Sequence, residues 1–242
     1  MQRLFLPGIL SEKDLITIKG DKARYLSAVL RCSAGDQILI TDDKGNSYSA
    51  RIVNISGREA TVEILGKQPL NRESPLHITL LQGVLKGVKM DLVIQKTTEL
   101  GVNKIIPVIT ERSQLRETRK LPRWQKIAEE ASRQSGRNII PAISKPVEFD
   151  RIFDQSEIIS GKGIIFWEEG GDKLSEIMGR FTPTDSIVLF TGPEGGFSEK
   201  EVEAATKNGF AVASLGRRIL RAETAAIIVV SIIQYILGDL GI

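Results

Sequence analysis

Two short stretches near the C-terminus concentrate the groups that could hold a ligand or do chemistry. The first, "LFTGPEGGFSEKEV" (residues 189–202), places Gly192, Gly195, Gly196, Pro193 and one carboxylate, Glu194, between an apolar run and a helix signal. Glycines are used where a backbone must bend sharply or approach a ligand closely. Ser198 and Glu201 form a capping-box pair, and Phe197 can staple onto Val202, so a helix N-terminus is fixed beside the loop. Phosphate is the usual guest at such a place. This loop has no Lys or Arg, no GK[ST] and no G-x-G-x-x-G spacing. Glu194 would repel an anion and suits a neutral or cationic ligand. Taken alone, the glycines also fit a plain strand-to-helix turn.

The second stretch, "LGRRILRAETA" (residues 215–225), sets Arg217, Arg218 and Arg221 against Glu223 and Thr224, beside Ile219 and Leu220. Arginines at the start of an apolar helix fit a purely structural role poorly, because cations favour a helix's other end. Other chemistries are thinly provided for. One cysteine, Cys32, and one histidine, His77, leave no disulfide framework, no expected metal site and no Ser-His-Asp triad. His77 reads as a strand residue with a satisfied ring.

The elements that must position these loops follow from periodicity. "DQILITDDKGNSYSARIVNISGREATVEIL" predicts three strands of an antiparallel meander, turning at "DDKGN" and "SGRE". Before it, Ala23, Leu26, Val29 and Leu30 have helical spacing. This small β domain ends near "QPLNRESP", where Asn71, Ser74 and Pro75 make a linker. From His77 onward strands and helices alternate: strand "HITLLQG", helix "KMDLVIQKTTEL" closed by Gly101, strand "KIIPVIT", and a helix from Pro122 that Gly136 ends. "GIIFWEE", "SIVLFTG" and "AVASLG" are further strands, with helices at "DKLSEIMG" and "SEKEVEAATKNG" and a last helix over Ala222–Leu237. The pattern predicts an α/β domain with a mostly parallel sheet covered on both faces, and both chemical loops fall at strand ends, where such sheets bind ligands. The last helix is apolar on most sides and is expected to be buried all round, which at a chain end calls for a homodimer.

The net charge is only +3, but residues 86–137 carry 12 Lys+Arg against 6 Asp+Glu, and residues 138–242 carry 10 against 15. A cationic segment on an acidic scaffold hints at a polyanionic partner. "MQRLFLPGIL" lacks the pattern of a signal peptide, and "AAIIVVSIIQYIL" is shorter than a bilayer requires. A cytoplasmic protein with no membrane contact is expected.

Together, "LFTGPEGGFSEKEV" and "LGRRILRAETAA" resemble the C-terminal signature of the SPOUT methyltransferases. More narrowly, the chain resembles the bacterial 16S ribosomal RNA uridine N3-methyltransferase family, also through "ESPLHITLLQGVLKGVKMDLVIQKTTELGVNKIIPVITERS", "RWQKIAEEASRQSGRNIIP" and the opening "QRLFLP" with its later "YLSAVLR". The likeness runs nearly end to end. It implies a PUA-like, RNA-binding β-barrel over residues 1–71 and a SPOUT domain over 72–242, with a parallel sheet and a deep trefoil knot. It implies S-adenosylmethionine bent inside that knot, a dimer shaping each site, and 16S ribosomal RNA or the small ribosomal subunit as partner. The expected cofactor residues are Phe166, Glu168, Thr191, Gly192, Pro193, Glu194, Gly195, Gly196, Leu215, Gly216, Ile219, Leu220 and Thr224. Phe166 and its neighbour Trp167 read equally well as plain core residues.

Methylating uracil at N3 requires loss of the imide proton and stabilisation of the anion. Arg221 is the expected anion stabiliser, and Glu223 or Glu194 the proton acceptor, with solvent as the competing base. Expected RNA contacts are Arg3, Arg24 and Arg31 in the barrel, and Lys86, Lys89, Arg112, Arg133 and Arg137 beyond it. Arg133 and Arg137 share a helix face if the last turn persists past Gly136. A SPOUT enzyme acting on another RNA or atom, and a non-catalytic ribosome-assembly factor, are the competing readings.

Overall fold

A computed structural model describes residues 2–8, 11, 14–69, 71–115, 118–155, 161–182 and 186–241. Leu70 of the expected linker and the terminal residues Met1 and Ile242 lie outside them. The chain divides into two compact units, one of residues 1–73 with 133–139, the other of residues 74–132 with 140–242.

The first unit is built on a five-stranded sheet. Its strands are β1 (Gln2–Phe5), β2 (Leu15–Lys19), β3 (Gln37–Thr41), β4 (Ser47–Ile55) and β5 (Glu59–Gln68), in the order β1-β3-β4-β5-β2. The predicted meander is β3-β4-β5, antiparallel throughout, while β1 pairs with β3 in parallel. A helical turn α1 (Asp21–Arg24) runs into a π-helical turn at Tyr25–Val29 and buries Ala23 and Leu26 against Leu4, Ile38, Ile40, Ile52 and Val62.

Two of the expected RNA-binding arginines belong to this unit's interior. Arg137 is 2% exposed and Arg3 8%. The Arg137 guanidinium donates from Nη2 (2.6 Å) and Nε (3.1 Å) to Glu73 Oε2, and Glu73 Oε1 accepts the Asn138 and Ile139 N–H groups at 2.7 and 3.0 Å. Arg3 Nη1 donates to the Arg137 carbonyl and, at 2.7 Å, to Asn138 Oδ1. Burial, and then the nearby Arg72, hold the pKa of Arg3 below its ordinary value against the smaller opposing pull of Glu73. These arginines tie residues 133–139 to the barrel through buried hydrogen bonds. Arg133 stacks its guanidinium 4.4 Å from the centre of the Tyr25 ring. The helix bearing it ends at Ser135, and Gly136 turns with φ +77°, so Arg133 and Arg137 do not share a helix face.

The second unit holds an all-parallel sheet. In chain order its elements are β6 (His77–Gly83), α2 (Lys89–Glu99), β7 (Lys104–Ile109), α3 (Leu121–Ser135, whose last turn lies in the first unit), β8 (Ala142–Ile143), β9 (Val147–Glu148), β10 (Lys162–Phe166), β11 (Asp172–Lys173), α4 (Leu174–Met178), β12 (Ser186–Thr191), α5 (Glu199–Lys207), β13 (Ala211–Ser214) and α6 (Ala222–Leu237). The strand order is β11-β13-β10-β12-β6-β7-β8, with β9 also on β7. Successive side chains of a strand point to opposite faces, and both faces here are covered. Ile78, Leu80, Ile164, Phe166, Ile187 and Leu189 join α2, α3, α4 and α6 in one apolar layer. Leu81, Ile165, Val188 and Phe190 meet Phe149, Phe197, Val202 and Ala205 in the other.

Within the single chain the last helix is covered on one face. Ala226, Val229, Val230, Ile233 and Gln234 are buried at helical spacing, whereas Tyr235 is 73% and Ile236 46% exposed. A single chain supplies packing for one face only. Among the described residues no helix is long and apolar enough to cross a membrane, and no cluster of His, Cys, Asp or Glu is placed to hold a metal ion.

Candidate active site

The glycine loop leaves β12 at Thr191 and is secured at nearly every residue. The buried Gln82, opposite Thr191 on β6, donates from Nε2 to the Gly83 carbonyl (2.9 Å) and the Gly192 carbonyl (3.1 Å), and accepts the Thr191 hydroxyl at 2.8 Å. Gly83 lies so close beneath that a Cβ on it would overlap the Pro193 nitrogen. The Gly195 carbonyl accepts Arg112 Nη1 at 3.1 Å. Gly196 adopts φ +69°, and a Cβ there would overlap the Glu168 carboxylate. Phe197 is 1% exposed in the aromatic cluster with Phe190 and Phe149. The capping box of α5 is formed, Glu201 Oε2 accepting the Ser198 N–H at 2.9 Å, while Glu201 Oε1 takes the Glu111 N–H at 2.8 Å.

Glu194 is part of this fastening. Its Oε1 accepts the Lys86 N–H at 3.1 Å and Lys89 Nζ at 3.3 Å. Burial alone would raise its pKa, but the N–H bonds from its own backbone and from Lys86, with the Lys89 ammonium, outweigh burial and hold it below the ordinary value. A carboxylate so stabilised is a weak proton acceptor. The sequence left the acceptor role open between Glu194 and Glu223.

The arginine loop is held differently. Gly216 (φ +106°) donates its N–H to Ser214 Oγ at 3.3 Å. Arg217, Arg218 and Arg221 are exposed, and Ile219 is 86% exposed. Arg221 is the N-cap of α6, and its carbonyl accepts the Ala225 N–H at 2.9 Å. Glu223 follows in the first turn, where its Oε2 is buried without a partner, as are Glu194 Oε2 in the glycine loop and Trp167 Nε1 at the end of β10.

The two loops and the end of β10 enclose a cavity of about 400 Å³, a size suited to a small organic ligand. Every expected cofactor-binding residue lines it except Gly195, whose carbonyl is taken by Arg112, and Thr224. Arg221, Glu223 and Glu194 line it as well, and so do Lys89 and Trp167. Of the expected RNA-binding residues, Lys86 and Arg112 are exposed beside the glycine loop, while Arg24 and Arg31 are exposed on the barrel unit. Arg31 has a φ of 53°. The residue that sequence reasoning missed is Gln82. Its one signal is a polar side chain at the end of the apolar strand "HITLLQG".

A parallel α/β unit with a ligand cavity between two strand-end loops, in a chain that also folds a small β unit, defines a class, and comparisons with known proteins agree on it. Residues 72–234 match the family model of an RNA methyltransferase domain, and residues 18–65 that of an RNA methyltransferase PUA domain. An RNA methyltransferase domain thus follows an N-terminal PUA domain along the chain. The ribosomal RNA small subunit methyltransferase E of Bacillus subtilis is 31% identical, the alignment covering 97% of this chain and 96% of that protein. Among solved structures, a ribosomal RNA small subunit methyltransferase E from Neisseria gonorrhoeae, bound to S-adenosyl methionine, superposes with a TM-score of 0.92 at 37% identity over 99% of both chains. A putative methyltransferase from Legionella pneumophila, in complex with bound SAM, gives 0.89 at 33% identity over 98% of both. The chain belongs to the ribosomal RNA small subunit methyltransferase E family.

Proposed function

We propose that this protein transfers the methyl group of S-adenosylmethionine to ring N3 of a uridine in the 16S ribosomal RNA of the small subunit. The observation that carries the reading is one cavity walled on one side by a secured glycine loop without phosphate-binding features and on the other by Arg221 and Glu223. The residues fit the cofactor. Glu168, Glu194 and Glu223 line the cavity together with Lys89, Arg217, Arg218 and Arg221, a wall of both signs that suits a ligand carrying a sulfonium, an ammonium and a carboxylate. When bound, S-adenosylmethionine supplies a methyl group on a good leaving group.

The chain's own residues do the rest. Arg221, exposed at the N-terminus of α6, donates to the uracil oxygens and stabilises the anion that the lost imide proton leaves behind. Glu223, in the first turn of α6 and lining the same cavity, accepts that proton. Glu194 holds the glycine loop. Lys86 and Arg112 take RNA phosphates beside the cavity, and Arg24 and Arg31 do so on residues 1–71, the RNA-gripping domain, leaving residues 72–242 the chemistry. The exposed Tyr235 and Ile236 supply the face of a homodimer, and the strands and loops around β10, β12 and β13 are threaded as a deep trefoil knot. The reaction belongs in the cytoplasm, where small subunits are assembled.

The test is methyl transfer from tritiated S-adenosylmethionine to small subunits lacking the modification, followed by nuclease digestion and nucleoside mass spectrometry. Label recovered as 3-methyluridine is the expected result. Label on another nucleoside or atom overturns the N3 assignment, and absence of both label and cofactor binding overturns the enzyme reading.

A further inference from the structure

Gln82 sets the hydrogen-bond polarity of the cavity floor. It is fully buried, and buried amides are held by their partners. Its amide group approaches two backbone carbonyls, those of Gly83 at 2.9 Å and Gly192 at 3.1 Å. A carbonyl can only accept, so the atom facing the pair is the NH₂ group and Oε1 must face the other way. What Oε1 meets is Thr191 Oγ1, at 2.8 Å. An amide oxygen cannot donate, so the hydroxyl proton of Thr191 points to Gln82. Thr191 lines the cavity with only 1% of its surface exposed, so a ligand group must seat closely against it. What its hydroxyl has left for a ligand is lone pairs and no hydrogen. Pro193, two residues on, has no N–H to offer either.

We propose that Thr191 is an acceptor-only contact for an electropositive, hydrogen-bearing group of the cofactor, and that Gln82 is the positioning residue that enforces this. The inference rests on the S-adenosylmethionine reading and narrows it. That molecule carries such groups in its sulfonium methyl, its ammonium and its adenine amine, whereas an anionic group placed on the same floor would face lone pairs. The device works at a distance from the reacting atoms: two backbone carbonyls orient the glutamine, the glutamine orients the hydroxyl, and the hydroxyl selects the ligand group.

Isothermal titration of the full chain with S-adenosylmethionine, and separately with its demethylated thioether S-adenosylhomocysteine, tests this. Thr191→Val keeps the shape, loses the oxygen and is expected to weaken S-adenosylmethionine binding roughly tenfold. Thr191→Ser keeps the hydroxyl and is expected to stay within roughly threefold of the unaltered protein, a rescue that a packing role would not produce. Gln82→Leu, which frees the Thr191 proton to rotate, should reproduce part of the loss, and thermal unfolding of each variant checks that it folds. A loss confined to S-adenosylmethionine assigns the contact to the sulfonium methyl; a loss shared by both ligands assigns it to an N–H group common to the two. Unchanged affinity in Thr191→Val, or an equal loss in Thr191→Ser, overturns the inference. Failure of the unaltered chain to bind either ligand overturns the cofactor reading itself.

Discussion

The glycine loop and the arginine loop wall the same cavity, yet they are built on opposite terms. From Thr191 to Ser198 nearly every residue is engaged from beneath or beside: Gln82 under Thr191 and Gly192, Lys86 and Lys89 on Glu194, Arg112 on Gly195, Glu168 against Gly196, and Phe197 in the core. From Leu215 to Arg221 the chain carries exposed arginines and an isoleucine turned to solvent. A site for a small cofactor gains from a fixed frame, because little ordering entropy is lost on binding. A site for a large, variable substrate gains from groups that can reach. On the proposed function, the glycine loop is the fixed part of the cofactor frame, and Arg221 and Glu223, at the end of the arginine loop and the start of α6, are the reactive groups.

Substitutions on the two sides should therefore fail differently. The largest effect is expected for Arg221→Ala, a fall in single-turnover methyl transfer of about 10²- to 10³-fold, the scale of losing one anion-stabilising donor. Glu223→Gln follows, with a single-turnover transfer rate at neutral pH lowered about 10²-fold. Gly196→Ala acts on stability, because a Cβ would strain the backbone at φ +69° and overlap the Glu168 carboxylate; a loss of about 1–3 kcal/mol in chemical denaturation is expected.

The Glu194 effect is smaller and depends on pH. Its pKa is held below the ordinary value of 4.5, so its stabilising contribution is complete above that value and is lost as pH falls through the depressed one. Glu194→Gln should cost about 1 kcal/mol at neutral pH, with the difference from the unaltered protein closing in acid, read from melting curves across pH. At the other end, Ile219→Ser should change the stability of the isolated chain by less than about 0.5 kcal/mol, since its side chain is 86% exposed. A larger loss would show that Ile219 is covered in solution.

Much of the α/β unit was legible because a parallel sheet buries both faces, so β6, β10 and β12 read as near-continuous apolar runs and α6 as an apolar helix. The barrel was legible only where pairing is local. β3, β4 and β5 announce themselves through turns, whereas β1 and β2 are four or five residues long and pair with distant partners. The two loops could be found because glycine and arginine clusters are unusual at strand ends. What no local pattern shows is which charges the tertiary fold will bury. Arg3 and Arg137 look like surface cations until Glu73 and the 133–139 segment close over them. Gln82 escaped for the same reason: its role lies in atoms of residues 191 and 192, more than a hundred positions away.

The most direct test of this division is to measure S-adenosylmethionine affinity and single-turnover transfer in the same Arg221→Ala preparation. The account predicts affinity within about threefold of the unaltered protein alongside the large loss in rate, because the cofactor frame is secured without that side chain. An equal fall in affinity and rate, or a rate that does not fall, would contradict it.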